Sequence, residues 1–158
     1  MADLNAATEA FWAKFLRSRT DPSATAKLLC EAFRIGDSEQ SADEGARLIL
    51  SGAKTTTSSL LWEYDKQGKP LPFVGSLSIL EDGRGKPVCI VETTWLGVLP
   101  FQEVDADFAV AYGEWGDTLA SWRQHAWTYY SKQCSLLGRK PSLQMPLVCE
   151  RFRVVHAR

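Results

Sequence analysis

The sequence predicts an α+β protein: a small mixed β-barrel flanked by helices, with a helical extension ahead of it. Three observations predict this. Helical patterns gather at the start and late in the chain, whereas β-rich runs gather in the middle and at the end. The turn signal Asp82-Gly83-Arg84-Gly85 joins two β-like runs, as in a hairpin. The last apolar stretch, Met145 to Val155, follows a long helical pattern and is suited to closing a barrel. A chain of 158 residues suits one compact domain, and the expected division is 1–35 for the extension and 36–158 for the domain.

Residues 4 to 19 place Phe11, Phe15 and Leu16 at helical spacing, with Leu4, Ala7 and Trp12 beside them and Asp3 or Asn5 positioned to cap. Asp21-Pro22-Ser23 breaks that helix. Ser23 is expected to cap a second one, running through Leu28, Leu29, Ala32 and Phe33 to Ile35-Gly36. After a polar loop, a third helix covers about Ser41 to Leu50. Glu63 to Leu71 is charged, contains Gly68 and Pro70, lacks periodicity and reads as a loop. Phe73 to Leu80 and Val88 to Val98 read as the hairpin strands, the second rich in β-branched residues. Pro100 to Val104 begins a short helical turn, and Asp105 to Glu114 is a short helix or loop. Gly113-Glu114-Trp115-Gly116-Asp117 is a break, after which Asp117 or Thr118 caps a helix of about 118–134. The first two helices carry no chemistry; their apolar faces suit packing on the main domain or a homodimer.

Composition excludes several classes. The formal net charge of −1 gives no global field for long nucleic acid, so such a contact needs a local patch. Arg139, Lys140, Arg151, Arg153 and Arg158 are the candidates for one. The four cysteines form no C-x-x-C pair and there are two histidines, so neither a metal site nor a cofactor is expected. Scattered cysteines and an opening without a basic-apolar leader point to reduced thiols and a cytoplasmic protein. Apolar runs are too short to span a membrane, and no membrane partner is expected.

The stretch Ser51-Gly52-Ala53-Lys54-Thr55-Thr56-Thr57-Ser58-Ser59 combines one cation, several hydroxyls and a bendable backbone. It is expected outside the core. As chemistry it suits holding an anion or an activated nucleophile with Lys54 as base. As structure it suits a polar turn leading into a strand.

An ordered set of segments resembles the ASCH domain family of the PUA-like superfamily. They are Gly36-Asp37-Ser38, Ser51 to Thr57, Leu61-Trp62-Glu63-Tyr64, Pro87 to Thr94, Pro100 to Val104, Gly113-Glu114, Trp122-Arg123 and Met145 to Phe152. The chain departs from the family pattern at Gly75-Ser76, where the family reads Gly-Asp, and at His125-Ala126, where it reads Ala-His. The resemblance implies a PUA-like barrel with a cleft and an association with RNA. It also implies hydrolase activity, of either a ribonuclease or a 4-N-acetylcytidine amidohydrolase type. The amidohydrolases use a Lys-x-x-Thr pair with a Glu. Lys54 and Thr57 match the pair, and Glu114 is the positional match for the acid.

For amide hydrolysis, Thr57 would attack a carbonyl, Lys54 would take the hydroxyl proton, and Glu114 would serve the leaving nitrogen. For RNA cleavage, Lys54 and Arg123 would hold phosphate while a hydroxyl or Tyr64 assists and a tryptophan such as Trp62 stacks on a base. Thr55, Ser59, Trp62, Tyr64 and Arg123 complete the candidate substrate-binding set. The non-catalytic alternative is an RNA-binding or protein-interaction module using the same cleft. Glu92 and Glu103 read as loop or cap residues, and His125 and His156 as surface residues.

Overall fold

A computed structural model of the protein describes residues 2–158. Within them, β1 (Leu29–Phe33), β2 (Thr56–Leu60), β3 (Leu77–Glu81), β4 (Pro87–Pro100) and β5 (Pro146–Ala157) form one sheet ordered β1-β3-β4-β5-β2. Only the β1–β3 pair is parallel. The long β4 and β5 pair along nearly their whole length, from Cys89 opposite Ala157 to Pro100 opposite Pro146. The final strand thus sits inside the sheet and joins β2 to the β3–β4 hairpin. The two edge strands β1 and β2 line a common cleft, so the twisted sheet curls toward itself.

Helices fill both sides. Helix α1 (Ala6–Arg17), capped by Asn5, buries Trp12 and Phe15 against Leu77, Ile79 and Ile90 of the sheet. Thr8 Oγ1 and Asn5 Nδ2 both donate to Glu81 Oε2, which fixes the helix to β3. His156, expected on the surface, packs its ring against Phe11 and Phe15 of α1. Helix α3 (Glu39–Ser51) opens on a Ser38–Ser41 capping box and closes on Gly52 at φ 82°. Helix α6 (Leu119–Leu136), capped by Thr118, buries Trp122, Ala126, Tyr130 and Cys134. These meet Phe108 and Tyr112 at helix α5 (Ala106–Ala111), together with Leu60 and Leu147 of the sheet. The hairpin turn forms as expected, with Asp82 N donating to Lys86 O.

Three local expectations are corrected. The second helix is only α2 (Pro22–Ala26), capped by Asp21 rather than Ser23, and Leu29–Phe33 is strand β1. Leu29, Ala32 and Phe33 fit a helical stripe, but pairing with β3 decides the conformation. The stretch from 63 expected as a loop begins inside α4 (Leu61–Gln67), which buries Tyr64 and ends on Gly68 at φ 63°. Phe73 and Val74 precede the first hairpin strand in a turn: Ser76 N donates to Phe73 O, and both apolar side chains are exposed.

Candidate functional site

Residues 51–59 do not form an exposed turn. Thr56 to Leu60 is strand β2, with burial alternating along it. Lys54, Thr56 and Ser58 are buried, which overturns the expectation that this cluster lies outside the core. Burial is tolerable because each polar group has partners. Thr56 Oγ1 donates to Phe108 O at 3.0 Å. The Ser58 hydroxyl bonds to those of Tyr112 and Tyr130. Thr57 and Ser59, on the alternate face, line the cleft.

Lys54 is the largest buried charge of the region, with 1% of its surface exposed. Its Nζ donates to Thr56 O at 2.7 Å and to Tyr112 O at 3.2 Å, and it pairs with Glu114 Oε2 at 2.7 Å. It also lies 3.4 Å from the centroid of the Tyr112 ring. Burial pulls the Lys54 ammonium down to about 8, opposed by the adjacent Glu114 and by Glu150. Glu114 reaches this position because Gly113 permits it. Gly113 has φ 73°, and a Cβ there would stand 2.5 Å from Ala53 O. Thr55 N donates to Ala111 O at 2.8 Å and ties the same two segments together.

The cleft above this pair has a volume of about 250 Å³. Glu114, Thr57, Ser59 and Tyr64, four of the predicted residues, line it. Lys54 is not in the lining; it is buried behind Glu114, its ion-pair partner at 2.7 Å. Thr55, Trp62 and Arg123 lie outside it. Thr55 is exposed. Trp62 carries the Arg139 guanidinium 4.4 Å from its ring centroid. Arg123 is exposed and donates to Gln102 O at 3.3 Å. The expected basic patch is dispersed: besides Arg139 on Trp62, Arg153 pairs with Glu92 at 3.4 Å and Arg158 lies 3.9 Å from Asp82.

Sequence reasoning missed the aromatic wall and a second carboxyl. Tyr112 stacks on Trp115 with centroids 4.7 Å apart, and Trp115 meets Tyr129 at 5.7 Å. All three line the cleft. Glu150 lines it from β5, held by Thr93 Oγ1, which donates at 3.1 Å. Burial pushes its carboxyl up to about 7. A lone acid in the apolar run before Phe152 was the signal available for it. The cleft's carboxylates, Glu31, Glu63, Glu114 and Glu150, outnumber the cations Arg34 and Lys69 in its lining. Lys69 itself pairs with Glu31 at 3.4 Å. Among the described residues no group of His, Cys, Asp or Glu is arranged to hold a metal, and no helix is long and apolar enough to cross a membrane.

A curled mixed sheet, helices on both sides and a cleft at its seam define a PUA-like α+β protein. The ASCH domain model matches residues 31–156, and the chain belongs to the ASCH domain family. It is similar to the crystal structure of an ASCH domain from Lactobacillus crispatus JV V101, with 30% identity, TM-score 0.87, and coverage of 97% of this chain and 96% of that one. It is also similar to the structure of a protein from Enterococcus faecalis V583, with 28% identity, TM-score 0.80, and coverage of 94% and 88%. No curated protein matches the chain.

Proposed function

We propose that the protein binds a base-modified nucleoside derived from RNA in the cleft above Lys54 and hydrolyses an N-acyl amide on the base. PUA-like folds are often linked to RNA binding, which supports the ligand class. The observation that carries the reading is the buried Lys54–Glu114 pair, 2.7 Å apart, beneath an aromatic-walled cleft that also exposes Thr57. A cleft of about 250 Å³ suits one nucleoside. Tyr112, Trp115 and Tyr129 offer faces for a planar base. The acidic lining, Glu31, Glu63 and Glu114 among it, suits base N–H groups better than phosphate and supports amide hydrolysis over RNA cleavage.

In this reading the Thr57 hydroxyl attacks the acyl carbonyl, and its proton passes to Lys54 in the amine form. A proton returns through the Lys54–Glu114 pair to the leaving nitrogen as the carbon–nitrogen bond breaks. Water then cleaves the acyl-Thr57 ester, releasing the carboxylic acid and restoring the hydroxyl. Burial that weakens the ammonium makes the amine accessible near neutral pH.

One observation favours a second, non-catalytic reading. Three acceptors already meet Nζ, as a structural ammonium would require. In that reading the cleft only binds the nucleoside or RNA. The test is to incubate purified protein with 4-N-acetylcytidine and measure released cytidine. Turnover is expected, falling about 10²–10⁴-fold in Thr57→Val and in Glu114→Gln. Circular dichroism of both variants checks that they fold. Binding without turnover supports the second reading. No binding or cleavage of either 4-N-acetylcytidine or single-stranded RNA overturns both.

A further inference from the structure

The proposed chemistry leaves Glu150 unused. It lies in β5 directly opposite Thr57 of β2, so both side chains leave the sheet on one face, toward the cleft. The β4–β5 register shifts between Thr93 and Trp95, beside this position. Thr93 Oγ1 donates to Glu150 Oε2 at 3.1 Å, and Ser76 Oγ donates to Thr93 Oγ1 at 3.4 Å. Ser76 and Thr93 are buried, and Thr93 pairs with Phe152, two residues along β5 from Glu150, so these hydroxyls hold Glu150 from the same face of the sheet. Among the described residues no cation forms an ion pair with Glu150. A carboxylate facing an enclosed cleft without a cationic partner is costly, and the neutral acid is favoured.

Its charged and titratable neighbours come from several elements. Glu31 and Cys30 lie on β1, Tyr64 on α4, Cys149 precedes it on β5, and Lys54 lies below. Burial raises the carboxyl to about 7 and Glu31 adds to this, while the Thr93 hydrogen bond and Lys54 oppose it.

We infer that Glu150 binds the ligand as a carboxylic acid and reads the edge of a cytosine-type base. Its O–H donates to the unprotonated ring nitrogen, and its carbonyl oxygen accepts the adjacent exocyclic N–H. Both hydrogen bonds form with no net proton transfer. A carboxylate lacks the donor and faces the ring nitrogen's lone pair, so it binds this edge poorly. The inference rests on the nucleoside reading above.

Cytidine, the product of that reading, is the probe, titrated calorimetrically into the full chain between pH 5.5 and 7.5. The window ends below the Lys54 midpoint of about 8, and the Glu150→Gln profile reports whatever slope Lys54 contributes near its upper end. Wild-type affinity is expected to fall about fourfold across it, following the protonated fraction of a group titrating near 7. Glu150→Gln keeps a donor and an acceptor but cannot titrate; its affinity is expected to be flat with pH and within about threefold of the wild type at pH 5.5. Glu150→Ala is expected to bind about tenfold more weakly at pH 5.5. A flat wild-type profile, or a slope retained in Glu150→Gln, overturns the role of Glu150 and leaves the nucleoside reading standing. Failure of the wild type to bind cytidine at any pH overturns both.

Discussion

Lys54 is an ammonium taken out of water, and its partners set what it costs to alter. Removing the side chain in Lys54→Ala leaves Glu114 almost buried and uncompensated. That is expected to destabilise the fold by about 3–5 kcal/mol in urea titrations, and a loss under about 1 kcal/mol would contradict the pairing. Activity is therefore better probed through Thr57 and Glu114 than through Lys54. The two titrating groups have opposite signs of linkage. Glu150 holds its proton to about 7 in the fold, above its ordinary value of 4.5, so the unfolded chain binds fewer protons between the two. Stability from this group is full below the lower value and is lost as pH rises through the higher one. Glu150→Gln should accordingly raise the melting temperature at pH 8 and leave it nearly unchanged at pH 4. Lys54 is depressed to about 8 from 10.5, so its burial penalty fades as pH rises through that window. As a base it works as the amine, so its limb of the kcat/KM profile should rise with pH through about 8, while the need for protonated Glu150 makes the other limb fall above about 7, giving a bell-shaped profile.

At the scale of elements, two junctions hold the site. The first is the approach of the 113–115 loop to the start of β2. Gly113→Ala forces a Cβ against Ala53 O at a positive φ, a strain of about 1–3 kcal/mol before the clash is counted. Loss of cytidine binding with the fold retained by circular dichroism is the expected outcome; unchanged binding would show that the loop position is immaterial. The second junction is α1 on the β3–β4 hairpin. Phe15 is 2% exposed and packs with Trp12 over Leu77, Ile79 and Ile90. Phe15→Ala should cost about 3–5 kcal/mol, read as an earlier urea midpoint.

Across the whole molecule, the N-terminal segment is woven into the sheet. β1 pairs with β3, α1 covers the hairpin, and His156 near the chain's end packs on α1. Unfolding should therefore be a single transition. Tryptophan fluorescence, reporting Trp12 in α1 and Trp122 in the main core, should coincide with far-ultraviolet circular dichroism in urea. Separate transitions would mean that the helical segment unfolds on its own. The same weaving builds the cleft, because β1 supplies one wall and β2 the other.

What the sequence determined by itself was local and ordered. The cap signals around Asn5 and Thr118, the glycine turn of the hairpin and the β-branched run of β4 each announced an element, because short-range chemistry decides them. The order of motifs was enough to place the chain in its family and to put Lys54, Thr57 and Glu114 in one hypothesis. Tertiary structure alone decided three further matters. Leu29–Phe33 is a strand because β3 offers it a ladder, which no local spacing encodes. Lys54, Thr56 and Ser58 are buried because Phe108, Tyr112, Glu114 and Tyr130, more than 50 residues away in the chain, supply their partners. Glu150 joins the site because β5 aligns it with Thr57. Burial of a polar side chain depends on whether distant groups arrive to satisfy it, and that is a property of the folded sheet.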